Sequence, residues 1–151
     1  MMCVDGLQYD PALPLQIGLD FGLTPAAVFG QRTGSGQWRI IHELVTFDMG
    51  LERFGNQLKA EIETLYPGAE VSIWGDPAGM QRDAIYEVTA FDHLKTLGLM
   101  ARPTATNDWK SRREAMAAPM LRFVDKKPGL LIAKTCHRTR KSLGGGYHFS
   151  R

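Results

Sequence analysis

The chain has 151 residues, 44% of them apolar and 23% charged, and carries a formal net charge of +2. That is the length and apolar content of one domain with a real core, which excludes a disordered tail. No uninterrupted apolar run approaches the ~18 residues of a membrane span, and Met1 to Leu15 has no basic start and contains Asp5, Asp10 and two prolines, unlike a secretory signal. Two cysteines, Cys3 and Cys136, cannot form a disulfide framework and have no metal-type spacing. A soluble domain of the cytoplasm is expected, with no membrane partner. The small net charge hides a polarity: residues 1–101 hold 6 Lys and Arg against 13 Asp and Glu, and residues 102–151 hold 12 against 3. One part of the molecule is suited to cations and the other to anions.

In chain order, residues 1–14 read as a lead-in ending in Pro11-Ala12-Leu13-Pro14. Leu15, Ile17 and Leu19 alternate with Gln16, Gly18 and Asp20, the period of a half-buried strand. Phe21 to Pro25 forms a turn, Ala26 to Arg32 a second strand, Gly34-Ser35-Gly36 a hairpin turn, and Trp38 to Phe47 a third strand. Three strands joined by short turns make an antiparallel meander. Leu51, Phe54, Leu58, Ile62 and Leu65 then recur at helical spacing until Tyr66-Pro67-Gly68 stops them. Val71 to Trp74 is a short buried strand closed by Gly75-Asp76-Pro77. Asp83 to Leu97 reads as a helix with a break near Val88-Thr89, Leu99 to Pro103 as a strand, and Arg112 to Asp125 as a helix kinked by Pro119. Leu130 to Ala133 is the last strand, and the glycine-rich end brings no terminating helix. The order β-β-β-α-β-α-β-α-β implies an α/β fold, a mixed sheet with helices packed on it.

Asp20 and Asp76 each close an apolar strand just before a turn. If those strands are neighbours, the two carboxylates emerge together at one sheet edge. Carboxylates that close repel each other unless a cation neutralises them. Oxygen ligands suit Mg²⁺ or Mn²⁺. Two such ions about 3.5–4 Å apart can clamp the attacking and leaving oxygens of a phosphodiester, which is the two-metal route to hydrolysis. Lys110, Arg112 and Arg113 stand at the start of a predicted helix, where they oppose the macrodipole, and phosphate contact would account for them. Lys134, Arg138, Arg140 and Lys141 form a second basic cluster around the last strand. Contacts of this kind to double-stranded DNA depend on salt and read no sequence.

Ile17-Gly18-Leu19-Asp20-Phe21-Gly22, followed by a hairpin, resembles the first acidic motif of ribonuclease H-like nucleases, and most of all that of the nuclease domain of phage large terminases. Trp74-Gly75-Asp76-Pro77-Ala78-Gly79 resembles the second acidic motif of that domain, and Asn107-Asp108 with Lys110, Arg112 and Arg113 its stretch after the fifth strand. The resemblance covers about residues 15–148. It implies a ribonuclease H-like fold, a mixed central sheet whose first three strands are antiparallel and which helices flank. It also implies a Mg²⁺- or Mn²⁺-dependent endonuclease, using two ions, that cuts concatemeric DNA during genome packaging. Asp20 and Asp76 would be catalytic metal ligands. The family context adds a terminase ATPase domain, a small terminase subunit and a portal as partners, in a bacterial host with a phage or prophage gene.

The chain departs from the family in its third acidic residue, which lies there at the start of a helix after the last strand. Arg151 is reached before such a helix appears, so residues 15–151 are expected to form the nuclease domain without it. Asp83 is a further candidate ligand, with Asp108 and His148 behind it. No Gly-x-x-x-x-Gly-Lys-Ser/Thr loop occurs, so no ATPase motor is expected. Two other readings remain open. One is a DNA-binding remnant without catalysis. The other is a fragment of an actin-like or sugar-kinase-like ATP-binding fold, because Asp20-Phe21-Gly22-Leu23-Thr24 also resembles the first phosphate loop of those proteins.

Overall fold

The computed structural model describes residues 3–21, 25–75, 89–104, 123–124 and 126–141. Its elements are β1 (Cys3–Val4), β2 (Leu15–Asp20), β3 (Ala26–Arg32), β4 (Trp38–Val45), α1 (Leu51–Leu65), β5 (Val71–Gly75), α2 (Ala90–Thr96), β6 (Ala101–Pro103), β7 (Phe123–Val124), β8 (Lys127–Pro128), β9 (Leu130–Ala133) and α3 (His137–Lys141). Seven strands form one sheet in the order β1-β9-β4-β3-β2-β5-β6. As expected, β2, β3 and β4 are an antiparallel meander. β5 joins β2 in parallel, β6 joins β5, and β9 and β1 extend the β4 side in parallel. All seven strands except β3 therefore run in one direction.

The alternation in β2 is what seats the sheet. Leu15, Ile17 and Leu19 are buried, while Gly18 and Asp20 are exposed. The buried set packs with Phe29 of β3, Phe54 and Leu58 of α1, and Leu94 of α2 in one core cluster. A second cluster of Leu130, Ile132, Ala133 and Cys136 lies on the β9 side with Trp38 and Ile40. β9 is buried at all four residues, as expected of a strand flanked on both edges and both faces.

Several details differ from the sequence reading. The lead-in contributes β1, and buried Gln31 ties it further to β3: its side chain accepts from Asp10 N at 2.8 Å and donates to Asp10 O and Leu13 O. At the break expected near Val88-Thr89, by contrast, the structure agrees: α2 begins at Ala90, and Thr89 and Asp92 form a reciprocal capping box. Leu99 is not in β6. Its N–H donates to Leu94 O, and the N–H of Gly98, at φ +88°, donates to Lys95 O, the two bonds of a Schellman end to α2. Finally, Phe123–Val124, read as the end of a helix, is a strand paired with Lys127–Pro128. An aromatic and a β-branched residue favour that state, and Lys126 turns the chain in the left-handed region at φ +65°. A short helix, α3, follows β9 where none was expected.

Candidate active site

In an open α/β sheet, ligands bind outside the carboxyl ends of the strands, where the chain order reverses. Here β2 leads to β3 and β4 on one side, and the chain then returns through α1 to β5 on the other side of β2. The switch point lies between β2 and β5. Asp20 is the last residue of β2, is exposed, and sits opposite Ala26 of β3. The β2–β5 register runs from Leu15 against Val71 to Leu19 against Gly75. Gly75 is thus one residue short of Asp76 just as Leu19 is one residue short of Asp20. Among the described residues no side chain pairs with the Asp20 carboxylate, and no group of three His, Cys, Asp or Glu side chains is placed to hold a metal. Asp76, Asp83, Asp108, Lys110, Arg112, Arg113 and His148 lie outside the described residues.

Two phenylalanines brace the switch point. Phe21, next after Asp20, meets Phe91 of α2 edge to face with ring centroids 5.3 Å apart. Gly75 fits against both. A Cβ there would stand 2.7 Å from Phe21 Cε2 and 3.1 Å from Phe91 Cε1. The residue after one candidate carboxylate and the residue before the other are therefore locked by the same ring pair. The adjacency of Phe21 to Asp20 was visible in the sequence, but its partner Phe91 was not.

The second basic cluster is assembled in part. Arg138, Arg140 and Lys141 share α3, and Lys134 precedes it. Glu43 of β4 fixes the start of α3 by accepting from Arg138 N at 2.8 Å and from Thr139 N and Oγ1 at 2.9 Å each. Arg138 lies over the ring of Phe47, 5.4 Å from its centroid. Phe47 is 65% exposed and follows β4, whose Val45 is opposite Ala26 and so in the lateral row of Asp20. Arg138 consequently stands at the same sheet edge as Asp20. Lys134 faces Asp5 at 3.1 Å, and Arg140 donates Nη1 to Lys134 O, so these two are partly engaged within the chain. Glu43 and Phe47 carried no signal in the sequence. Beneath this helix, burial and nearby Glu43 push the Cys136 thiol up to about 11.

No helix among the described residues is long and apolar enough to cross a membrane. No protein-family profile and no curated protein matches the sequence. Solved structures do match. The large terminase nuclease domain of bacteriophage P22 superposes with a TM-score of 0.71 at 10% identity, over 95% of this chain and 73% of that one. The large terminase of a thermophilic bacteriophage gives 0.68 at 15% identity over 95% of this chain, which spans 34% of that protein. The large terminase nuclease domain of bacteriophage SPP1, with bound Mn, gives 0.63 at 14% identity over 95% of this chain and 76% of that one. A yeast mitochondrial Holliday junction resolvase is also similar, with a TM-score of 0.51 at 9% identity over 96% of this chain and 73% of that one. The seven-stranded mixed sheet with its antiparallel start is thus the ribonuclease H-like fold that this chain shares with the nuclease domains of phage large terminases.

Proposed function

We propose that the chain is a metal-dependent DNA endonuclease domain of the large terminase kind, cutting concatemeric DNA during genome packaging. The observation that supports this reading is the parallel register of β2 and β5, which pairs Leu19 with Gly75, the residues that precede Asp20 and Asp76 in the sequence. The similarity to terminase nuclease domains, with Mn in the SPP1 structure and Co and Zn in two structures of the phage G20c nuclease, supports the same reading. Asp20, an exposed oxygen donor at the carboxyl edge with no ion pair among the described residues, suits a hard divalent cation.

In this reading Asp20 and Asp76 would hold Mg²⁺ or Mn²⁺, with Asp83 as a further candidate ligand. When bound, two such ions would supply positive charge to the phosphodiester and its attacking water. The chain's own task is to hold those carboxylates at a fixed spacing and to place the duplex over them. The ring pair of Phe21 and Phe91 serves the first. Lys110, Arg112, Arg113, Lys134, Arg138, Arg140 and Lys141 serve the second by contacting backbone phosphates, which orient DNA without reading its sequence. A terminase ATPase domain, small subunit and portal are the partners that go with this role.

The test is incubation of supercoiled plasmid with Mg²⁺ or Mn²⁺, with a chelator lane and the Asp20→Asn variant. Nicking that needs metal and disappears in Asp20→Asn is expected, with DNA binding retained by the variant. Normal cutting by Asp20→Asn would remove Asp20 from the site.

A further inference from the structure

A cleft of about 650 Å³ opens at the other end of the sheet, between the segment after β1, the start of β4 and the β7–β8 hairpin. Its charged lining is all of one sign: Arg39, Lys126 and Lys127, with no carboxylate among the described lining residues. Val4, Leu7 and Leu131 contribute apolar wall.

The cationic side is built rather than incidental. Gln37 is 4% exposed, and its side chain reaches both ways: Nε2 donates to Pro128 O of the hairpin at 2.8 Å, and Oε1 accepts from Arg39 Nε at 2.9 Å. Its own N–H is held by Thr33 Oγ1. One buried amide thus couples the hairpin that carries both lysines to the guanidinium, using Nε and leaving the Nη groups for another acceptor. No ion pair to Arg39, Lys126 or Lys127 occurs among the described residues.

Position suggests what the cleft takes. Arg39 is six residues before Val45 on β4, and Val45 is in the lateral row of Asp20. At ~3.3 Å per residue, the cleft is ~20 Å along the strands from the candidate carboxylate edge. β9 thus has cations before it, at Lys126 and Lys127, and after it, at Lys134 and Arg138. A ligand that meets both ends must be an extended polyanion. Phosphates on one DNA strand are ~3.4 Å apart along the axis, so ~20 Å corresponds to about six base pairs.

We infer that this cleft is a second contact site for the DNA backbone, taking phosphates about six base pairs or more from the point held at the Asp20 edge. The inference rests on DNA being the partner of the Asp20 site. It adds Arg39, Lys126 and Lys127 as DNA-contacting residues and gives the protein a minimum substrate length.

The experiment measures binding of duplexes of about 6 and about 30 base pairs by anisotropy, with chelator present, across a salt series. The wild-type chain is compared with the triple variant Arg39→Gln, Lys126→Gln, Lys127→Gln. On the longer duplex the variant should bind about tenfold or more weakly, with a log–log salt slope smaller by about two to three, since each phosphate contact contributes ~0.9. On the short duplex the two proteins should bind alike. An unchanged slope on the long duplex overturns the inference. A second measurement needs no variant: amine acetylation of the wild-type chain, read by mass spectrometry. DNA should protect Lys126 and Lys127 but not Lys59 and Lys95 on α1 and α2. Protection by polyglutamate and not by DNA would overturn the inference in favour of an acidic polypeptide. Failure of the nuclease reading shows up elsewhere, as metal-independent or absent nicking, while these binding differences persist.

Discussion

Replacing Gly75 by alanine tests whether the ring pair sets the geometry of the switch point. The added Cβ would lie 2.7 Å from Phe21 Cε2, 3.0 Å from Phe21 Cζ and 3.1 Å from Phe91 Cε1. Ordinary carbon contacts are ~3.5–4.0 Å, so the Phe21 ring must retreat by about 1 Å. Phe91 is 7% exposed and packed on α2, whereas Phe21 is only half-buried, so Phe21 yields and its neighbour Asp20 moves with it. Overpacking of this kind costs about 1–3 kcal/mol. For a chain of this size that is a fall in Tm of about 2–4 °C for each kcal/mol. Cutting should suffer more than stability, because a 1 Å misplacement can cost ~10²-fold in rate. Gly18→Ala is the matched control: it is in the neighbouring strand, opposite Trp74, and nothing lies within 4 Å of its would-be Cβ. Thermal melting and plasmid nicking of both variants decide the matter. Phe21→Leu added to Gly75→Ala should recover part of the lost stability. A Gly75→Ala protein with wild-type Tm and wild-type nicking would refute the brace.

Other consequences follow from single residues. Glu43→Ala removes three hydrogen bonds from the start of α3 and should destabilise that turn by about 1.5–3 kcal/mol; faster hydrogen exchange at the Arg138 and Thr139 amides would register it, and unchanged exchange would not fit. Cys136 is fully buried with its thiol pushed up to about 11, so at about pH 8 a thiol reagent should label Cys3 quickly and Cys136 only on unfolding. Burial first, then the nearby charges of Cys136, Glu61 and Tyr9, push the Tyr66 phenol up to about 12. Both raised groups hold their protons more tightly in the folded chain. Their contribution to stability is full below the ordinary values of 9.0 and 10.0 and is lost as pH rises through about 11 and 12. A melting series from pH 9 upward should fall, and Tyr66→Phe should flatten the upper part of that fall.

Local sequence was enough for the elements whose periodicity is long or regular. The alternation of Leu15 to Asp20 and the helical spacing of Leu51 to Leu65 each reappear with the expected ends, and together with the short turns they dictate the antiparallel meander. The short, apolar β9 was legible for the same reason: a run buried on every side has few alternatives. Where two residues decided a state, as at Phe123–Val124, the tertiary pairing overrode a helical pattern.

Asp20 could be singled out from its place at a strand end before a turn, since that needs only neighbours in sequence. What the sequence could not contain is adjacency across the sheet. The pairing of β2 with β5 joins residues more than fifty apart, Glu43 reaches α3 across |i−j| of 95 and 96, and Gln37 reaches Pro128 across 91. No periodicity reports such contacts, because they depend on which strands close against each other once the core has formed. The sequence by itself determined the strand and helix inventory, the acidic and basic division of the chain and the candidate carboxylates. Only the tertiary structure decided that Phe21 and Phe91 close on Gly75, that α3 stands at the Asp20 edge, and that Arg39 lines one cleft with the two lysines of the hairpin, since each of these depends on elements brought together by long-range strand order.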